Sequence, residues 1–168
     1  GRYEEVEPLI RQALEILEKA LGLDHPKVAN SINVLAVLYS DQGRNELAET
    51  LHKRALVIWE KAFGPDHPEV ATSLNNLAVL YSDMGRLAEA ELLNKRALAI
   101  REKAFGPDHP DVALSLNNLA ALYGAQGRYE AAEPLYRRSL AIQKTALGPE
   151  HPLFATSLSN LAGLYIDQ

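Results

Sequence analysis

FGPDHPEVATSLNNLAVLYSDMGR, residues 63–86, carries the pattern that decides the fold. Val70, Leu74, Leu77, Ala78, Leu80 and Tyr81 recur at three- and four-residue spacing, which gathers them on one helical face rather than on alternate faces of a strand. The spacing predicts a helix over about Glu69–Asp83, stopped at Gly85. Gly64 ends the helix before it, because glycine takes the left-handed C′ conformation at little cost. Pro68 stands near the first helical position, where its fixed φ is already helical, and Asp66 or His67 is placed to cap.

Outward from this stretch the same text returns. Gly-Arg recurs at 1, 43, 85 and 127, so the 168 residues fall into four blocks of 42. Residues 43–84 and 85–126 agree at 29 of 42 positions. Such self-similarity marks an array in which each unit buries its core against its neighbours. The other half of each block is a second helix. Leu47, Ala48, Leu51, Ala55, Leu56 and Ile58 keep helical spacing over Leu47–Phe63, with Glu49 and Lys53 four apart on the other side. Glu7/Arg11, Glu91/Lys95 and Glu133/Arg137 repeat that pair. Each exposed pair contributes only about 0.2–0.5 kcal/mol and supports a helix rather than chemistry. No segment sustains a period of two, so no strands are expected.

Leu77, Ala78, Tyr81, Gly85, Ala90 and Ala97 resemble the tetratricopeptide signature, with Ala78 where the usual motif has glycine. The 42-residue period and the segments LNNLAVLY (74–81) and FGPDHPEVATSLNNLA (63–78) resemble the long repeats of kinesin light chains and related bacterial arrays. The resemblance implies an all-α, right-handed α-solenoid of eight antiparallel helices. It makes the LNNLA helix helix A, lining a concave groove, and the other helix B, on the convex side. On this reading residues 1–168 are one repeat domain that starts on a B helix (Tyr3–Leu21) and ends on an A helix (Leu153–Asp167). Three complete A–B repeats, 26–63, 68–105 and 110–147, lie between.

Composition narrows the function. Lys+Arg 17 against Asp+Glu 22 gives −5, which argues against a nucleic-acid or anionic-membrane surface. With no cysteine, disulfide scaffolds, thiol catalysis and cysteine–zinc sites are excluded. No apolar run approaches the ~20 residues of a membrane span. A start at Gly1 without methionine or signal-like segment points to an excised fragment, and a cytoplasmic setting is expected.

Candidate chemistry is sparse. His25, His67, His109 and His151 recur once per block, and equivalent positions of stacked repeats stand about 8–10 Å apart, too far to share a metal ion. A capping role is the expectation for them. There is no Gly-rich phosphate loop, HExxH or GxSxG, so neither an enzyme nor a cofactor is expected. The informative residues are asparagines. Asn33, Asn75 and Asn117, followed by Ser159, form one ladder; Asn76, Asn118 and Asn160 form a second, which Val34 interrupts. Asn costs a helix interior several tenths of a kcal/mol relative to Ala. Either the amides bond the backbone of a peptide in the groove, or one Asn of each pair bonds a neighbouring helix. The groove around them is small-sidechained and faintly acidic. Lys27 is the only base on any A helix, unlike tetratricopeptide domains that clamp acidic peptides with Lys and Arg.

The unpaired end helices offer a second function. Val6, Ile10, Ala13 and Leu17 on the leading B helix, and Leu161, Ala162 and Tyr165 on the final A helix, lack part of their cover. Asp167-Gln168 followed by Gly1-Arg2-Tyr3-Glu4 would read like residues 125–130 within the chain. The expected function is a non-catalytic scaffold for a protein or peptide. The alternative is a structural module stacking head to tail.

Overall fold

The computed structural model describes the backbone of residues 3–168 and the side chains of residues 5–168. Eight α-helices and no strand account for the regular structure of the described residues. The A helices are α2 (Pro26–Asp41), α4 (Pro68–Asp83), α6 (Pro110–Ala125) and α8 (Pro152–Asp167). The B helices are α1 (Tyr3–Leu21), α3 (Asn45–Phe63), α5 (Leu87–Phe105) and α7 (Tyr129–Ala146). Gly1 and Arg2, part of the end-to-end match, lie outside the described residues.

Local chemistry sets the boundaries. His67 is the N-cap of α4 and Pro68 its first residue, one position earlier than the apolar spacing alone indicates. A proline there loses nothing, since the first-turn N–H groups have no intrahelical partner. Helix α3 starts at Asn45, two residues before its first apolar residue. It ends at Gly64, whose φ of 86° and ψ of 162° lie in a region open essentially to glycine, not in the left-handed helical region expected. A Cβ there would meet nothing within 4 Å, so the backbone angle and not crowding demands glycine.

The chain divides into two compact units, Gly1–Gly85 and Arg86–Gln168. In the first, α2 packs against α1 and α3, and α3 against α4, while α2 also touches α4. Val28, Ile32 and Leu35 of α2, Ala48, Ala55, Ile58 and Trp59 of α3, and Val70 and Leu74 of α4 are buried. The two alanines allow a short interaxial distance, which depends on side-chain size at the contact. In the second unit, Val112, Ala113, Leu116 and Ile142 form one buried cluster. Leu119, Ala120, Tyr123, Ala132, Tyr136 and Leu164 form another. There α6 packs against α5, α7 and α8, and α7 against α8.

The repeated acid–base pairs do more than support one helix. Glu49 and Lys53 meet at 2.7 Å, and the Tyr81 hydroxyl donates to the same carboxylate at 2.9 Å. Tyr39 donates to Glu7 at 2.8 Å, Tyr123 to Glu91 at 3.1 Å and Tyr165 to Glu133 at 2.7 Å. Each link ties a B helix to the A helix that follows. Arg44 and Arg128 lie over the Tyr39 and Tyr123 rings at 4.1 and 4.0 Å, adding a cation–π contact at the same joints.

Candidate functional site

The block histidines are helix caps. The Nδ1 atoms of His25, His67, His109 and His151 accept from the N–H of Lys27, Glu69, Asp111 and Leu153 at 3.1, 3.3, 3.2 and 3.2 Å. Each satisfies one of the donors that a helix start leaves without a partner. The Phe63 and Phe105 rings stack on His67 and His109 with centroids 4.5 Å apart. Among the described residues no group of three or more His, Cys, Asp or Glu side chains is arranged to hold a metal ion.

Within the adjacent pairs 75/76 and 117/118 the two asparagines differ in burial. Asn75 and Asn117 are 5% and 8% exposed, and Asn33 is half-buried. The Asn33 amide oxygen accepts from the Nδ1–H of His52 at 3.1 Å. Asn117 donates to the Ser157 hydroxyl on α8. Neither amide atom of the buried Asn75 has a hydrogen-bond partner. Where it is bonded, this ladder joins helix to helix. Asn76 and Asn118 are half-buried and Asn160 is exposed. Among the described residues no side-chain hydrogen bond uses any of these three amides.

In the first unit, Asn76 belongs to a cleft of about 170 Å3 between α2 and α4. Val37 of α2 and Val79 of α4 form its walls and are 46% and 53% exposed. Asp41 and Asp83, the last residues of their helices, stand at one end with Ser40 beside Asp41. The Ser40 hydroxyl is buried and has no hydrogen-bond partner. His52 of α3 also lines the cleft. Burial pushes its imidazole down to about pKa 4, so it is neutral near pH 7. In the sequence Ser40 falls among the groove positions of its A helix, and His52 is the one histidine on a B helix. The available signal for His52 was its break with the repeat, since Ile10, Asn94 and Tyr136 hold the equivalent positions.

The end helices can be compared with their own repeats. Val6 and Ile16 of α1 are 38% and 57% exposed, against 0% and 2% for the equivalent Ala48 and Ile58. Leu158 and Tyr165 of α8 are each 46% exposed, against 0% and 7% for Leu116 and Tyr123. Ile10, Leu17 and Leu161 are half-buried. Leu161 packs on the cluster around Leu119 and Tyr136.

Comparison with known proteins agrees with this geometry. The tetratricopeptide repeat family pattern matches residues 1–56, 32–103, 93–145 and 126–168. The nearly identical TPR-like repeats of a kinesin light chain-like protein from Podosopora anserina are 31% identical, with a TM-score of 0.80 over 99% of this chain and 79% of that one. BtubC from P. vanneervenii is 28% identical, with a TM-score of 0.84 over 99% of this chain and 66% of its own. RapI in its apo form shares the fold at 16% identity, with a TM-score of 0.78 over 99% of this chain and 44% of its own. Repeat period, capped helix pairs and these matches together place the chain in the tetratricopeptide repeat family, as a solenoid similar to kinesin light chain-type repeats.

Proposed function

We propose that this chain is a non-catalytic protein–protein interaction scaffold whose A helices hold a peptide segment. The carrying observation is the state of Asn76, Asn118 and Asn160. These amides lie in helix interiors where Asn is unfavourable, yet among the described residues no side-chain hydrogen bond uses them. A peptide backbone offers the donor and the acceptor that an amide needs. Exposed Val37 and Val79 flank Asn76, so an occupant also covers apolar surface, worth about 25 cal/mol per Å2 buried. Asn33, Asn75 and Asn117, being part-buried or buried, are the less accessible candidates for such contact.

Selection of peptides from a displayed random library on the full chain, followed by calorimetric titration, tests this. Asn76→Ala with Asn118→Ala should weaken the selected peptides at least tenfold while leaving stability unchanged or raised by a few tenths of a kcal/mol. Equal binding to the double variant would sink the groove reading.

A second reading, end-to-end stacking, is favoured by the face of α1 around Val6 and Ile16 and that of α8 around Leu158 and Tyr165. Their equivalents within the chain are covered. An α8 face set against an α1 face would repeat the α6–α7 pairing, a heterologous contact that propagates rather than closes.

A further inference from the structure

We propose that the α2–α4 cleft is a subsite for one cationic side chain, a lysine or arginine, of the peptide held by the A helices. The proposal rests on the groove reading and names the chemistry of its occupant.

Three observations converge. First, Asp41 and Asp83 flank the cleft with no ion-pair partner among the described residues, although Glu7, Glu18, Glu49, Glu91, Glu102 and Glu133 each hold a base at 2.7–2.8 Å. Both aspartates close the last turn of a helix, and neither last turn contains a base. A carboxylate there opposes the helix dipole, whose C-terminal end carries partial negative charge. Two unpaired acids at two C-terminal ends therefore create a site that a cation relieves. Lys27, the base on α2, lies fourteen residues from Asp41, about 20 Å along the helix.

Second, the buried Ser40 hydroxyl on the cleft wall lacks a partner. An ammonium or guanidinium N–H entering the cleft supplies one, and the Asn76 amide oxygen offers another acceptor. Neutral His52 in the cleft lining adds no opposing charge near pH 7. Third, the volume of about 170 Å3 falls below the roughly 300–1,000 Å3 of pockets for drug-sized ligands, and its walls are the apolar Val37 and Val79. An aliphatic stem packs along such walls while its charged head reaches the carboxylates. The equivalent positions in the second unit are Ala125 and Asp167, so the paired acids belong to α2 and α4 alone.

The test is an NMR titration of the full chain with N-acetylarginine N-methylamide, with the norleucine analogue as control. The arginine probe should shift backbone amides in 37–41 and 76–83, and the norleucine probe should not. Asp41→Asn with Asp83→Asn should abolish those shifts without lowering the melting temperature, because the removed charges face helix C-terminal ends. On a library-selected peptide, replacing its basic residue by norleucine should cost at least tenfold against the native chain and less than twofold against the double variant. Shifts that are absent, spread over all surface carboxylates, or retained in D41N/D83N would overturn the subsite. Selected peptides that need Asn76 and Asn118 but ignore D41N/D83N would overturn it and leave the groove reading standing. Peptides indifferent to Asn76 and Asn118 would remove both.

Discussion

At position 52 a histidine is locked into helix packing at 2% exposure, which gives the chain a pH response of its own. Its folded pKa of about 4 lies below the ordinary 6.5, so the unfolded chain takes up the proton first as pH falls. Its contribution is complete above about pH 6.5 and is lost as pH falls through about 4, a total of about 3 kcal/mol. Urea unfolding between pH 7 and 4.5 should show this loss in the native chain and a flatter profile in His52→Asn, the residue the next repeat carries. The carboxylates of Glu7 and Glu91, lowered mainly by bonds from Arg11 and Lys95, respond below that window. Matching pH profiles would show that His52 is not the sensor. At this scale the sequence offered the two asparagine ladders as equals. Helix phase separated them: one position of rotation, about 100°, puts Asn75 at 5% exposure and leaves Asn76 half-buried.

At the scale of the element, helices were legible because apolar spacing, glycine stops and proline starts agree in every block. The caps were legible in outline, and the structure assigns them to His67 and its equivalents rather than to Asp66. Removing one should be measurable. His67→Ala is expected to cost about 1 kcal/mol in urea unfolding, from loss of the bond to the Glu69 N–H. His67→Asn should recover much of it, since Asn caps well; failure to do so would assign the cost to the stack with Phe63 instead. The Tyr–Glu links were not legible. The i,i+4 pair looked like a surface feature, and its third member lies 32 residues away on another helix.

At the scale of the whole molecule, repeat equivalence turns exposure into a measurement of missing cover. Native chain that stacks end to end should gain mass with concentration in light scattering. Leu158→Glu with Tyr165→Glu should hold the mass at one chain. Unchanged assembly in that variant, or a native mass constant over a wide concentration range, would remove the stacking reading. Leu158 serves better than Leu161 here, because a charge at Leu161 also disturbs the core on which it packs.

The sequence by itself determined the eight helices, their order, their pairing as antiparallel repeats and the tetratricopeptide family. These follow from local periodicity and from a text repeated four times. Tertiary structure decided which asparagine of the 75/76 and 117/118 pairs is buried, that His52 is neutral, and that Asp41 and Asp83 line one cleft. Those outcomes depend on what lies across from a side chain, often thirty or more residues distant. A repeat pattern records the position of a residue in its own helix but not the neighbour it faces.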